Sequence, residues 1–203
     1  MSNKEKKDVI PCKVIVVGDS GVGKTSIINR YLEKFNPEER ATIGATFSSK
    51  LITVDNYNIS LDIWDTAGEE RYRSVNSIFY KEASICLIVY DITSKNTFNS
   101  IKDYWYNSVK ENAIQDIILG IAGNKMDLVN KEDVDENEVK DFCKEINALY
   151  FLTSAKENSF IDNIFEEFGK KFVESDIFKN LIKNKDKGGK KMELNGKHKK
   201  KCC

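Results

Sequence analysis

The segment GDSGVGKT, at residues 18–25, restricts the fold more than any other part of the chain. It stands between a β-branched run, KVIVVG at 13–18, and KTSIINRYLEK at 24–34, whose apolar residues recur at a helical spacing. It fits the pattern G-x-x-x-x-G-K-[ST], in which backbone N–H groups curl around phosphate oxygens at the positive end of a helix. The pattern predicts a nucleoside triphosphate site, with Lys24 reaching the β- and γ-phosphates and the Thr25 hydroxyl ligating Mg²⁺. The predicted phosphate-loop contacts are Ser20, Gly21, Val22, Gly23, Lys24, Thr25 and Ser26.

Strand-like and helix-like segments alternate from this loop to about residue 174. Two segments that alternate apolar and polar residues flank an Asn-Tyr-Asn turn at 56–58 and predict a hairpin. The pattern favours a doubly wound α/β fold, a six-stranded, mostly parallel sheet with one antiparallel hairpin strand and ligands at the carboxyl ends of the strands. The predicted strands after the first are 46–55, 59–65, 83–92, 117–125 and 149–155. In the last predicted helix, 159–174, an apolar stripe is expected in the core: Phe160, Ile164, Phe165, Phe168 and Phe172.

Charge is distributed unevenly along the 203 residues, although the formal net charge is zero. Residues 176–203 contain ten lysines against three acidic residues, which makes this stretch +7 and the preceding 175 residues −7. That balance argues against nucleic-acid binding by the body, whereas a basic tail suits an anionic membrane surface. No apolar run approaches the ~20 residues of a membrane span, and no signal peptide is predicted at the start. We expect a short extension at 1–11, one domain at 12–174, and a disordered, lysine-rich tail at 175–203.

Two polar motifs, GNKMD at 123–127 and TSAK at 153–156, follow successive predicted strands. The Asp127 carboxylate offers two acceptor oxygens to the N1–H and 2-amino donors of guanine, a pair that adenine lacks on that edge. Asn124 either bonds the base or ties loops together, and the Lys125 stem is expected to cover one purine face. A P-loop kinase or ATPase is therefore disfavoured. The remaining predicted contacts to the base are Ser154, Ala155 and Lys156.

Five motifs together, GDSGVGKT, ATIGATF, WDTAGEER, GNKMD and TSAK, resemble those of the Ras-like small GTPases in order and spacing, over about residues 12–174. Within that group the chain is similar to Rab proteins, a resemblance carried by IGATF, Glu-Arg-Tyr, YDIT and the terminal Cys-Cys. IGATF is most similar to the early-endosomal branch. The resemblance implies a P-loop small GTPase fold and a GTPase domain at 12–174. It also implies an enzyme that binds GTP or GDP with Mg²⁺, hydrolyses GTP and regulates vesicle traffic by GTP-dependent effector binding.

The resemblance assigns roles at matching positions. It implies that Thr25, Thr42 and Asp65 ligate Mg²⁺, that the backbone N–H groups of Thr42 and Gly68 contact the γ-phosphate, and that Phe35 lies against guanine. Phe47, Trp64 and Phe79 match the apolar triad that Rab effectors read, although strand alternation alone would place Trp64 and Phe79 in the core. The implied effector surface consists of Ile43, Phe47, Trp64 and Phe79.

Regulators and a membrane are further implications of the resemblance. The implied partners of this monomer are an exchange factor, a TBC-type activating protein, a GDP-dissociation inhibitor, a prenylation escort protein and effectors. Prenyl chains on both Cys202 and Cys203, together with the lysines, would anchor the protein stably to a membrane. A single lipid chain would give only reversible membrane binding. The implied location is the cytoplasmic face of membranes, such as early endosomes, with a cytosolic inhibitor-bound pool.

Glu69 departs from the family pattern, because a glutamine usually orients the attacking water at this position. Catalytic roles are otherwise implied for Lys24 and Gly68. An ionised carboxylate only accepts hydrogen bonds, and it adds negative charge beside the phosphates. Repulsion would then slow hydrolysis and leave a GTP-gated interaction module with negligible turnover. Alternatively, the phosphates favour the protonated side chain, and Glu69 serves as base or donor. A TBC-type protein supplies an arginine and a glutamine in trans, so assisted catalysis would survive the substitution.

Overall fold

A computed structural model describes residues 8–36, 42, 44–68 and 78–189, with side chains as far as residue 184. Within these residues, six strands form a sheet in the order β2-β3-β1-β4-β5-β6, in which β2 and β3 are antiparallel and the other neighbours are parallel. The predicted fold class is therefore confirmed. The strands are β1 (Val9–Val17), β2 (Ala45–Val54), β3 (Tyr57–Thr66), β4 (Ile85–Asp91), β5 (Ile118–Asn124) and β6 (Leu149–Leu152).

Helices cover both faces of the sheet. Those on one face pack against alternate residues of β1 such as Val14, while those on the other face pack against residues such as Ile15. The first group is α1 (Lys24–Tyr31), α5 (Ile161–Glu174) and α6 (Asp176–Gly189). The second group is α2 (Lys95–Ser100), a π-helical stretch (Ile101–Trp105), α3 (Tyr106–Asn112) and α4 (Glu136–Glu145). A 3₁₀ helix, Met126–Lys131, follows β5.

The topology brings the predicted motifs to one edge of the sheet. The chain leaves β1 to build β3 on one side and β4 on the other, so the order reverses at β1, where doubly wound sheets bind ligands. Gly18 begins the loop after β1 with φ of 139°, and a Cβ there would collide with the Val89 carbonyl oxygen. Only glycine therefore lets the chain turn out of the sheet at this point.

The hairpin turn and the start of the domain differ from what the sequence predicts. The hairpin turns at Asp55 and Asn56, and Tyr57 already belongs to β3. β1 begins at Val9, three residues before the predicted domain start at 12, because Val9 pairs with Asn58 and Ile10 is buried in the core. Residues 9–11 are part of the sheet rather than of an extension.

The largest correction concerns the tail that was expected to be disordered from residue 175. Helix α6 occupies its first half, and Phe178 is 4% exposed. Its ring meets the rings of Tyr57 and Phe172 edge-on, with centroids 4.8 Å and 5.5 Å away. The apolar residues Ile177, Phe178, Leu181 and Ile182 form one helical face, which the lysine-rich composition concealed. Cys202 and Cys203 lie outside the described residues.

Phe160 is a second correction, because it is 58% exposed rather than part of the core stripe. It precedes α5 with φ of 59°, and the helix begins at Ile161, which is buried instead. The other four members of the predicted stripe are buried as expected. Over the described ranges, no helix is both long and apolar enough to cross a bilayer.

Candidate functional site

The phosphate-loop motif lies between β1 and α1, with Lys24 at its centre. Lys24 is 5% exposed, and its ammonium donates to the carbonyl oxygens of Gly18 and Asp19, both at 2.8 Å. Burial lowers the pKa of Lys24 to about 8, although the nearby carboxylates of Asp65 and Asp19 oppose that shift. The loop thus folds around a cation that is poorly compensated, which suits it to an anionic ligand.

The other predicted phosphate contacts follow the course of the loop. Gly23 has φ of 97°, and a Cβ on it would collide with the side-chain amide of Asn124. That contact places the start of α1 directly against the end of β5. Ser20 and Gly21 are exposed at the tip of the loop, Val22 is buried, and Thr25 and Ser26 are half-buried in the first turn of the helix.

Three side chains that carry oxygen atoms converge beside this loop. The Thr25 hydroxyl donates to Asp65 Oδ2 at 2.6 Å and lies 2.7 Å from the Thr42 hydroxyl, which is itself 3.4 Å from Asp65 Oδ2. Burial raises the pKa of Asp65 above its ordinary value, against the hydrogen bonds from Thr25 and Thr42 and the charge of Lys24. These are the three residues that the resemblance implies as metal ligands, and they come together from α1, the segment before β2, and β3.

Asp65 provides a test of whether this group fits Mg²⁺. Its second oxygen, Oδ1, is buried and has no hydrogen-bond partner among the described residues. A buried carboxylate oxygen without a partner is costly, and a hard cation with oxygen ligands would satisfy it. No group of three or more His, Cys, Asp or Glu within the described part of the chain could hold a metal. One carboxylate and two hydroxyls agree with the habit of Mg²⁺, which takes few protein carboxylates and completes its shell with phosphate oxygens and water.

Gly68 packs against the phosphate loop. A Cβ on this residue would collide with Lys24 Nζ and with the main-chain carbonyl of Asp19. The backbone after β3 therefore reaches the loop only because position 68 is glycine. Glu69 lies outside the described residues, so its predicted role stays a prediction.

Asn124 ties two loops together, which is one of the two roles that the sequence left open. It is 2% exposed, donates from Nδ2 to the Val22 carbonyl at 2.9 Å, and accepts from the Ala155 N–H at 3.1 Å. Asp127 accepts from the Ser154 hydroxyl at 2.6 Å, and Lys156 Nζ lies 3.7 Å from its other oxygen. These contacts link the GNKMD and TSAK loops across the ends of β5 and β6.

Lys125 has an anchor that the sequence analysis missed. Its ammonium lies 2.6 Å from Asp91 Oδ2, and its backbone takes a left-handed conformation with φ of 70°. Burial alone would raise the pKa of Asp91, but the hydrogen bonds from Lys125 and Thr93 outweigh it and lower that pKa. The signal was present in YDIT, where an aspartate is the last residue of the buried strand β4.

Arg30 is a second residue that the sequence analysis missed. Its guanidinium lies 3.5 Å from the centre of the Phe35 ring and donates to the carbonyl oxygens of Ala155 and Lys156 at 2.8 Å and 2.7 Å. Phe35, predicted to lie against guanine, is therefore connected through Arg30 to the loop after β6. A basic residue on α1 has no sequence signal that would identify this contact.

The predicted effector residues Phe47, Trp64 and Phe79 form a continuous aromatic surface. Ring centroids are 5.3 Å apart for Phe47 and Trp64 and 5.5 Å apart for Trp64 and Phe79. Phe47 is 55% exposed, while the other two are half-buried against the core. Exposed aromatic clusters of this kind are typical of protein-binding surfaces. Ile43 lies outside the described residues.

Comparisons with known proteins agree with this geometry. A sequence profile described as Ras family matches residues 13–174. "Putative ras-related protein Rab-5B" of Dictyostelium discoideum is 42% identical over 165 residues, which are 80% of this chain and 76% of that protein. Human "Ras-related protein Rab-22A" is 36% identical over 195 residues, 94% of this chain and 97% of that protein. "GTP-binding protein YPT53" of Saccharomyces cerevisiae is 39% identical over 166 residues, 78% and 75% of the two chains.

Proposed function

This chain belongs to the Ras family as a Rab-like GTP hydrolase, and from that premise we propose that it is a Rab-type switch that uses Mg²⁺, hydrolyses GTP slowly without an activating protein and regulates vesicle-mediated traffic. The observation that carries the proposal is the convergence of the phosphate loop, the Thr25–Thr42–Asp65 oxygens and the Asn124 network at one edge of the sheet. Guanine nucleotides are the ligands of the family.

Phosphate binding is assigned to the loop around Lys24. The Lys24 ammonium donates to two carbonyl oxygens of its own loop. Phosphate oxygens would replace or join these acceptors, and the N–H groups at the start of α1 add the positive end of the helix. The oxygens of Thr25, Thr42 and Asp65 would hold Mg²⁺ beside the phosphates. The bound ion would neutralise charge on the phosphates.

Guanine selection is assigned to Asp127. Its carboxylate is fixed by the Ser154 hydroxyl, so it is oriented before the base arrives. Asn124 acts by joining the phosphate loop to the TSAK loop, which holds the two halves of the site at a constant separation. Lys125, held by Asp91, and Phe35, held by Arg30, would border the base.

The GTP-dependent step is assigned to Thr42 and Gly68. The Thr42 hydroxyl lies 2.7 Å from that of Thr25, and Gly68 packs against the phosphate loop, which supports a response of both segments to a γ-phosphate. Both flank the aromatic surface of Phe47, Trp64 and Phe79, because β2 and β3 join the two segments. Effectors would bind this surface when the two segments are ordered, and release would follow hydrolysis.

Membrane attachment is assigned to the lysine-rich end of the chain, with prenyl groups on Cys202 and Cys203. The relatives named Rab-5B and Rab-22A support association with endosomal membranes. We place the attached protein on the cytoplasmic face, exchanging with a cytosolic pool bound to a GDP-dissociation inhibitor. An exchange factor, a TBC-type activating protein and a prenylation escort protein complete the cycle.

A second candidate function rests on Glu69. A carboxylate in place of the usual glutamine would leave a GTP-gated membrane interaction module with negligible turnover. The two candidates therefore differ in whether GTP is hydrolysed when residue 69 is a glutamate.

Single-turnover hydrolysis of bound GTP tests both candidates. Wild type, Glu69→Gln and the matched control Glu70→Gln are each measured with and without a catalytic TBC domain. Hydrolysis by wild type alone, or its acceleration by the TBC domain, supports the cycling switch. A wild type that stays GTP-loaded in both conditions, while Glu69→Gln alone turns over, supports the module. Equal gains from Glu69→Gln and Glu70→Gln would show that general charge, and not position 69, sets the rate.

A further inference from the structure

A buried tryptophan in the helix layer is bonded to the phosphate loop. Trp105 is fully buried at the end of the π-helical stretch, and its indole Nε1–H donates to Asp19 Oδ1 at 2.8 Å. The two residues are 86 positions apart in the chain. π-helical interruptions are rare and recur at functional sites, so this contact calls for a functional explanation.

Asp19 connects that tryptophan to the centre of the site. Its main-chain carbonyl accepts from Lys24, and the same carbonyl is where a Cβ on Gly68 would collide. Its side chain is the only acidic group in the motif GDSGVGKT. A carboxylate next to bound phosphates repels them, unless a donor holds it away. The indole N–H is such a donor, and its burial makes an acceptor obligatory.

We propose that Trp105 is a positioning residue for the nucleotide: it holds the Asp19 carboxylate against the helix layer, away from the phosphates, and thereby slows nucleotide release. The inference rests on the proposed nucleotide site. It adds a residue that lies outside every motif and whose effect depends on the charge of Asp19.

Release of radiolabelled GDP from the full-length protein tests the inference. Radiolabel is needed because tryptophan is the energy donor in fluorescent nucleotide assays. Trp105→Phe keeps an aromatic ring but removes the donor, and should speed release about tenfold, the lower end of what a hydrogen bond to a charged group supplies. Tyr106→Phe, which removes a polar atom from the adjacent residue at the start of α3, should leave release unchanged.

The double variant Trp105→Phe/Asp19→Asn separates charge from packing. Both Trp105 variants have the same cavity, so a purely structural effect would leave the double variant as fast as Trp105→Phe. Under the inference, the neutral amide no longer repels the phosphates, and release should slow most of the way back to the wild-type rate. Failure of this rescue overturns the inference.

A measurement on the intact core guards against poor folding of the Trp105 variant. With ¹⁵N-labelled tryptophan, Asp19→Asn should move the Trp105 indole N–H resonance, because the charge of its acceptor changes; an unmoved resonance overturns the inference. If wild type and Trp105→Phe release GDP at the same rate, the inference is overturned but the proposed function is not. A wild type that retains no GDP overturns the proposed function as well.

Discussion

Replacing Phe178 with alanine should destabilise the whole domain, because α6 packs as part of the core. Phe178 is 4% exposed and contacts the rings of Tyr57 and Phe172. Removing a buried phenylalanine side chain costs about 3–5 kcal/mol. Since α6 can undock rather than leave a cavity, the loss cannot exceed the free energy of docking, and we expect about 3 kcal/mol.

That loss should lower the melting temperature by about 6–12 °C for a domain of this size. Phe160→Ala is the matched control, because it removes the same side chain from a position that is 58% exposed. It should change the free energy of unfolding by less than about 0.5 kcal/mol.

Limited trypsin digestion followed by mass spectrometry reports on α6 itself. Lys179 and Lys183 lie on its exposed face, and a docked helix resists cleavage there. Phe178→Ala should be cut at these lysines faster than either wild type or Phe160→Ala. If Phe178→Ala and Phe160→Ala have the same melting temperature and the same cleavage rate, α6 does not dock on the domain and the reasoning is wrong.

Three further outcomes are expected. Asn124→Ala should lower both GDP affinity and the melting temperature, because it leaves buried groups in two loops unpaired at about 1–3 kcal/mol each; calorimetric titration and thermal melting measure the two effects. Without nucleotide, wild type should gain stability relative to Lys24→Met as pH rises from about 8 to 10.5, the folded and ordinary pKa values of Lys24. The unfolded chain keeps a proton in that range that the folded chain has lost, so the free energy of unfolding increases with pH; denaturant titrations across the range check it. Burial raises the thiol pKa of Cys12, Cys86 and Cys143, so a thiol reagent should modify these three only after unfolding.

Local patterns in the chain were enough to establish the sheet and the position of the site. In β2 and β3, apolar and polar residues alternate with a period of two, and β1 contains a β-branched run. Successive side chains of a strand point to opposite faces of the sheet, so these patterns indicate which faces are buried. The glycine motifs were equally readable, since Gly18 and Gly68 are required by close approaches of the backbone that no other residue permits. The fold class followed from these patterns.

Contacts between distant residues were decided by the tertiary structure alone. The Trp105–Asp19 hydrogen bond joins residues 86 positions apart, and the hydrogen bonds from Arg30 reach residues 125 and 126 positions away. Nothing in the local sequence of either partner specifies the other. Helix α6 was obscured for a related reason. Its lysine-rich composition indicates disorder when it is read alone. The apolar face around Phe178 is stabilised by contacts with β3 and α5, which come together only after folding.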